Sequence, residues 1–162
     1  MPRFNQETAM LAMEVHQLIL DWGDELDANG GLSVPRLLTE DCEYLVGGKS
    51  MRGHAAVLKF YTDRGERVRT LQKDGIRTQR HTITNLRSTF RDRDHAEVRF
   101  MIVNYSAEGK PPAMNLVGPS IIADCRMQCR RDADGEWRIA LFDSTPVFVG
   151  NDPFLNATVV QK

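Results

Sequence analysis

Ile121, Ala123, Cys125, Met127 and Cys129 stand at every second position, and Asp124, Arg126, Gln128 and Arg130 fall between them. Side chains of a strand point alternately to two faces, so this stretch reads as a sheet segment with one apolar and one polar face. It lies in a β-rich run covering residues 114–131. Runs over 77–90, 95–105 and 136–148 read the same way. The joints are Arg91-Asp92-Arg93-Asp94, a loop from Ser106 to Pro112, and Asp132-Ala133-Asp134-Gly135, which places Gly where a hairpin wants positive φ. Short turns between long strands predict an antiparallel meander. The apolar face must be covered, and the N-terminal half supplies the cover.

Leu11, Val15, Leu18, Trp22 and Leu26 recur with a 3.6-residue period, predicting a helix over 5–28. Asn5 is placed to cap it, Glu7 suits its first turn, and Asn29-Gly30-Gly31 ends it. Leu32 to Leu38 reads as a short helix entered through Pro35, Thr39-Glu40-Asp41 as a turn, and Cys42 to Val46 as a strand. Gly47-Gly48-Lys49-Ser50 reads as a turn, because a phosphate loop would need Gly where Glu43 stands. His54 to Arg64 forms a second helix, and Asp63 to Gly75 is expected to be a charged surface connection. Helices before strands give an α+β domain, with N-terminal helices packed on a curved, antiparallel-rich sheet that encloses a conical pocket. A single domain spans 1–162, with the tail from about 150 unassigned.

The chain has 162 residues, 41% hydrophobic and 27% charged, with a net charge of −1. That balance points to no nucleic acid and no membrane surface as a partner. No apolar run reaches the ~20 residues of a membrane span. The start, Met1-Pro2-Arg3-Phe4-Asn5, lacks a signal-peptide core, so a cytoplasmic protein is expected. Cys42, Cys125 and Cys129 make an odd set suited to buried thiols, and Cys-x3-Cys without a second ligand pair argues against zinc. No metal and no organic cofactor are expected.

Functional chemistry centres on Arg77-Thr78-Gln79-Arg80-His81-Thr82-Ile83-Thr84-Asn85. On a strand His81, Ile83 and Asn85 share a face, and Ile83 marks it as the inner one. An inward imidazole needs a partner, and the best upstream is Asp27, in the last turn of the first helix. An acid there opposes the helix dipole and gains nothing locally. His16, on the same helix, stands ~16 Å from Asp27 at ~1.5 Å rise per residue and cannot pair with it. Leu18, Trp22, Val57, Tyr61, Ile121, Met127 and Leu141 are expected to form the pocket walls or the core beneath. Asp143, near the end of the last strand, is a further candidate for the pocket lining. His54 and His95 read as a helix-start and a hairpin residue.

Glu25-Leu26-Asp27, the run Leu37 to Tyr44, Arg80-His81-Thr82-Ile83-Thr84-Asn85 and Gly135-Glu136-Trp137-Arg138-Ile139 resemble, in order and spacing, the SnoaL-like superfamily. This superfamily includes scytalone dehydratase, hexachlorocyclohexane dehydrochlorinase, bile-acid dehydratases and the β subunits of ring-hydroxylating dioxygenases. The resemblance covers roughly residues 10–148. It implies a cystatin-like cone of helices on a curved mixed sheet. It also implies that Asp27 orients His81 as a base, and that Tyr44 matches an aromatic hydroxyl of the dehydratases. A second pocket histidine of scytalone dehydratase has no counterpart; Asn104 or Tyr105 stands near its place.

The expected function is a cofactor-independent lyase or isomerase for a small cyclic or aromatic apolar substrate. His81 is the base, Asp27 its orienting acid, and Tyr44 or Asn85 steadies developing negative charge. A non-catalytic subunit resembling the dioxygenase β chains, or a small-ligand-binding protein, is the alternative. The polar sheet face with Arg126, Gln128 and Arg130, together with the resemblance, predicts a homo-oligomer, a trimer ahead of a dimer.

Overall fold

The computed structural model describes residues 5–114, 116 and 118–160. The leader reading rests on Met1 to Phe4, and part of the 114–131 run on Asn115 and Val117, all outside the described residues.

Helix α1 spans Gln6–Asn29. Asn5 caps it: its Oδ1 accepts from Thr8 N at 2.8 Å, and Asn5 N donates back to Thr8 Oγ1 at 2.9 Å. Its buried stripe includes Leu11, Val15, Leu18, Trp22 and Leu26, as the periodicity predicts, and Gly30 at φ 63° ends it. A single 3-10 turn, Val34–Leu37, follows. Strands β1, Leu38–Val46, and β2, Lys49–Arg52, lead to helix α2, Gly53–Leu71. Then come β3, Arg77–Asp92; β4, His95–Glu108; β5, Ile121–Arg131; and β6, Trp137–Val149. A short helix α3, Pro153–Val159, closes the chain.

The six strands form one mixed sheet in the order β2-β1-β6-β5-β4-β3. β1 runs parallel to β6, and every other neighbouring pair is antiparallel. The α+β class and the β3–β6 meander are as the sequence predicts. The apolar positions of β5 are buried beneath α1, with Val98, Phe100, Ile139 and Phe142 of the adjoining strands. None of the described helices is long and apolar enough to cross a membrane.

Three local expectations are corrected. Thr39-Glu40-Asp41 is not a turn but part of β1, with Thr39 buried; a bulge between Leu38 and Glu43 fits this polar step beside β6. The charged stretch from Asp63 continues α2 to Leu71. Its exposed side chains pair along the helix, Lys59 with Asp63 and Glu66 with Arg69, while Arg64 and Arg67 reach inward to tertiary partners. Gly65 lies in open space, where it costs the helix only about 1 kcal/mol relative to Ala. The third long run becomes strand only at Ile121.

Bulges also reset two faces. The β3–β4 register slips between Thr84 and Arg87, where Asn85 adopts φ 57°. A second slip, between Gln128 and Cys129, leaves Trp137, Ile139 and Phe142 as the buried residues of β6, and Leu141 only half-buried.

Candidate active site

Gly23 determines how closely α1 approaches the sheet. A Cβ there would stand 2.7 Å from Ile83 Cδ1, the movable end of that side chain, so glycine lets the helix settle on β3 without displacing the Ile83 methyl. Asp27 lies one helical turn beyond Gly23, and His81 two residues before Ile83 on the same strand face. The contact therefore delivers the acid onto the imidazole. Asp27 Oδ1 lies 2.7 Å from His81 Nδ1, and Asp27 Oδ2 accepts the His81 backbone N–H at 2.9 Å. β3 closes one edge of the sheet, and the carboxylate satisfies its outward N–H while fixing the ring. A carboxylate on Nδ1 places the ring proton there and leaves the Nε2 lone pair free. Among the described residues no side chain bonds Nε2, and His81 lines an apolar cavity.

That cavity encloses about 100 Å³, room for one ring. Trp22, Phe142, Ile102, Ile121 and Ala123 form apolar walls, and Leu155, Thr158 and Val159 of α3 stand at its rim. Tyr44 and Tyr61 also line it, their hydroxyls 2.5 Å apart, while Trp22 Nε1 donates to the Tyr44 oxygen at 3.0 Å. Tyr61 is held by the close approach of Gly31, where any Cβ would strike its ring. Burial pushes both phenols up from their ordinary values, so both keep their protons. The Trp22 N–H and two phenol O–H groups are three donors sharing two bonds. One O–H is left for the cavity, whichever phenol donates to the other.

The remaining polar groups come from three elements. Asn104, directly across from His81 in the β3–β4 register, is buried, and its Oδ1 has no partner among the described residues. Gln79 shares the inward face with His81. It donates from Nε2 to Leu26 O at 2.7 Å and accepts from Arg64 Nη2 at 2.5 Å. Neither Gln79 nor Arg64 is among the residues the sequence singles out. Gln79 could have been found from its two-residue offset to His81. Arg64 was hidden because its segment reads as a surface connection.

Asp27, His81, Tyr44, Trp22, Tyr61 and Asn104 thus come together. Two other candidates do not. Asn85 is exposed, its Nδ2 3.4 Å from Met101 Sδ, because the bulge turns it outward. Asp143 lies between Phe142 and Ser144, which both line the cavity, so alternation sends it to the opposite face, 3.8 Å from Arg126. The other histidines have separate partners: His16 pairs with Ser88 Oγ at 2.7 Å, His54 with Leu38 O at 3.1 Å, and His95 with Asp92 at 2.8 Å.

Residues 8–143 match the model of the SnoaL-like domain, and the chain belongs to that family. A candidate scytalone dehydratase from Novosphingobium aromaticivorans superposes with a TM-score of 0.73 at 16% identity, over 92% of this chain and 92% of that one. An NTF2-like protein with a cystatin-like fold from the same organism gives 0.69 at 20% identity, over 96% and 92%. ActVI-ORFA from Streptomyces coelicolor gives 0.71 at 15% identity, over 88% and 98%. At these identities the likeness is one of fold. No curated protein sequence matches the chain.

Proposed function

We propose that the protein is an acid–base lyase or isomerase that needs no cofactor and acts on a small cyclic substrate bearing a carbonyl group. The observation that carries this reading is the Asp27–His81 pair, with Nδ1 tied to the acid and the other ring nitrogen left to an apolar, ring-sized cavity. Nε2 takes a proton from the carbon next to the carbonyl, and the electron pair moves onto the carbonyl oxygen. The free phenol O–H of the Tyr44–Tyr61 pair donates to that oxyanion. In an elimination the enolate re-forms the carbonyl as the double bond forms and a β-hydroxyl leaves, accepting the proton from the imidazolium to depart as water. In an isomerisation the same proton returns to a different carbon. Asp27 holds the ring and offsets its positive charge while the proton is in transit.

The test uses the first half-reaction alone. Small cyclic ketones in D2O are followed by NMR for exchange of the hydrogens beside the carbonyl. The wild-type protein is expected to accelerate exchange, and His81→Ala to lose the acceleration with the fold retained. Equal exchange in a folded His81→Ala protein ends the mechanism.

The membership of a SnoaL-like family and the polar outer sheet face also support assembly into a homo-oligomer, a trimer ahead of a dimer. Light scattering at micromolar concentration checks this, and a monomer of 18.4 kDa counts against it.

A further inference from the structure

Arg64 is an unusual wall for an apolar cavity. It sits on α2 three residues after Tyr61, whose hydroxyl is in the floor, and three before Arg67, which holds α3 at the rim through Thr158 Oγ1 and Phe154 O. Its guanidinium lines the cavity and reaches Gln79 on β3. The protein gives it one hydrogen bond, to the uncharged Gln79 Oε1, and no carboxylate of the described residues comes within 4.0 Å of it. The nearby acids are engaged elsewhere. Glu25 Oε1 accepts from Ser33 N at 2.6 Å and Asn29 Nδ2 at 2.9 Å, and Asp152 pairs with Arg77. Arg64, Arg67 and Arg77 thus gather beside α3 with Asp152 as their one paired carboxylate. The half-buried guanidinium has five N–H donors, and among the described residues Gln79 alone accepts from it. Burial pulls the Arg64 group below its ordinary value, the direction expected of a cation short of an anion.

A second, independent observation comes from β4, which pairs with the strand that carries Gln79 and His81. Asn104 is 3% exposed, lines the same cavity, and its Oδ1 has no partner among the described residues. A buried carbonyl oxygen left unbonded is costly, and a ligand donor would satisfy it. The cavity lining thus lacks an acceptor for the Arg64 donors and a donor for the Asn104 acceptor among the described residues.

We propose that the ligand of this cavity is a ring compound carrying a carboxylate, bound by Arg64, and a hydroxyl, donated to Asn104 Oδ1. Gln79 is a positioning residue: anchored on Leu26 O, it presents the guanidinium to the cavity. This deepens the reading given under Proposed function and rests on it for the identity of the site. It divides the work among groups, because the carboxylate anchors while the carbonyl at the phenols is the activating group. A planar guanidinium and a carboxylate can pair through two parallel bonds, which fixes the ring's orientation before His81 acts.

Binding tests this without turnover. Benzoate and its uncharged isostere benzamide are titrated calorimetrically into wild type, His81→Ala, Arg64→Lys and Arg64→Met. Wild type is expected to favour benzoate by roughly ten- to a hundredfold, the range of a hydrogen-bonded charge. His81→Ala should keep the preference, Arg64→Lys should keep part of it, and Arg64→Met should lose it. Equal affinity of wild type for benzoate and benzamide overturns the proposal with no variant needed. So does an unchanged preference in folded Arg64→Met, which would place the anion at Arg67 or Arg77. 4-Hydroxycyclohexanecarboxylate should bind wild type more tightly than cyclohexanecarboxylate, with the difference lost in Asn104→Leu; no difference in wild type overturns the Asn104 assignment. If cyclic ketones show no exchange while benzoate selectivity stands, the catalytic reading fails and the anion site remains.

Discussion

On the outer face of β4, β5 and β6, Arg99 meets Glu97 at 3.0 Å, and Arg126 lies 3.8 Å from both Glu97 and Asp143. On the inner face of the same sheet the Asn104 carboxamide oxygen has no partner among the described residues, and the guanidinium that α2 brings against that face, Arg64, has only the Gln79 amide. Solvent and alternating charge satisfy the outer face whatever its exact geometry. Burial on the inner face makes each unmet bond expensive, so unmet bonds persist there only when something else meets them. The exception on the inner face is the Asp27–His81 pair, where both carboxylate oxygens are used. The inner face thus joins one fully determined hydrogen-bonded pair to several polar groups left open, as a binding site requires.

The comparison breaks first at the pair itself. Substituting His81→Ala or Asp27→Asn is expected to lower turnover by about 10²–10⁴-fold, the usual share of a positioned general base. The double variant should be little worse than either alone, since the two act as one unit. Turnover and melting temperature measured together decide the matter. If both variants lose about 1–3 kcal/mol of stability and little rate, the pair is structural.

Next in size is the buried ion pair of Arg77 and Asp152, which fastens the N-terminus of α3 beside the cavity. Removing one partner by Asp152→Asn should cost about 3–5 kcal/mol, because a buried charge is left alone. Burial raises the Asp152 carboxyl, but the Leu155 N–H and the Arg77 guanidinium more than reverse this, so it is held below its ordinary value. A carboxyl lowered on folding adds stability that is fully present above its unfolded value of about 3.9, and that is lost as pH falls through the folded value. Wild type should therefore lose melting temperature below about pH 4 more steeply than Asp152→Asn. Parallel curves would remove the ion pair as the cause.

A smaller effect sharpens the link between packing and site. In Gly23→Ala the new methyl meets Ile83 Cδ1 at 2.7 Å. Overpacking of this kind costs about 1–3 kcal/mol, and the better helix former returns about 1. Stability should fall by about 0–2 kcal/mol, and where α1 rather than the Ile83 methyl gives way, Asp27 is carried off His81. Displacements near 1 Å can cost on the order of 10²-fold in rate. Adding Ile83→Val deletes the atom that is struck and should restore turnover. Failure of that rescue would detach the helix approach from the site's geometry.

How much of this the sequence revealed follows the same division. The α1 stripe, the alternation of β5 and the Asp27–His81 pairing were legible because each rests on a period or on an acid with no local use. Asn85 and Asp143 were misplaced by strict alternation: a positive-φ bulge turns the first outward, and the register slip in β6 alters the count near the second. Thr39-Glu40-Asp41 reads as a turn on composition, yet it is an irregular part of β1 between the β6-paired Leu38 and Glu43, a long-range setting that no local pattern carries. Arg64 was missed for a related reason. The run from Asp63 to Gly75 looks solvated, and only the tertiary fold shows that some of its charges face inward.

The smallest effect is expected on the outer face, and there the comparison can be tested from its quiet side. Arg126 and Asp143 are both more than a third exposed, at 40% and 37%, and their ion pair is long at 3.8 Å. Exposed pairs contribute about 0–1 kcal/mol, so Asp143→Ala should move stability by no more than about 0.5 kcal/mol and leave turnover unchanged. The same residues border a wide groove with Asn85, Arg87, Arg99 and Asp124, on the face proposed for assembly. If this groove is a subunit contact, Asp143→Arg should shift the oligomer toward monomer in light scattering while the monomer's own unfolding curve stays put. A variant that kept its oligomer yet lost turnover would mean that the outer face communicates with the cavity through the sheet, and the contrast between the two faces would no longer hold.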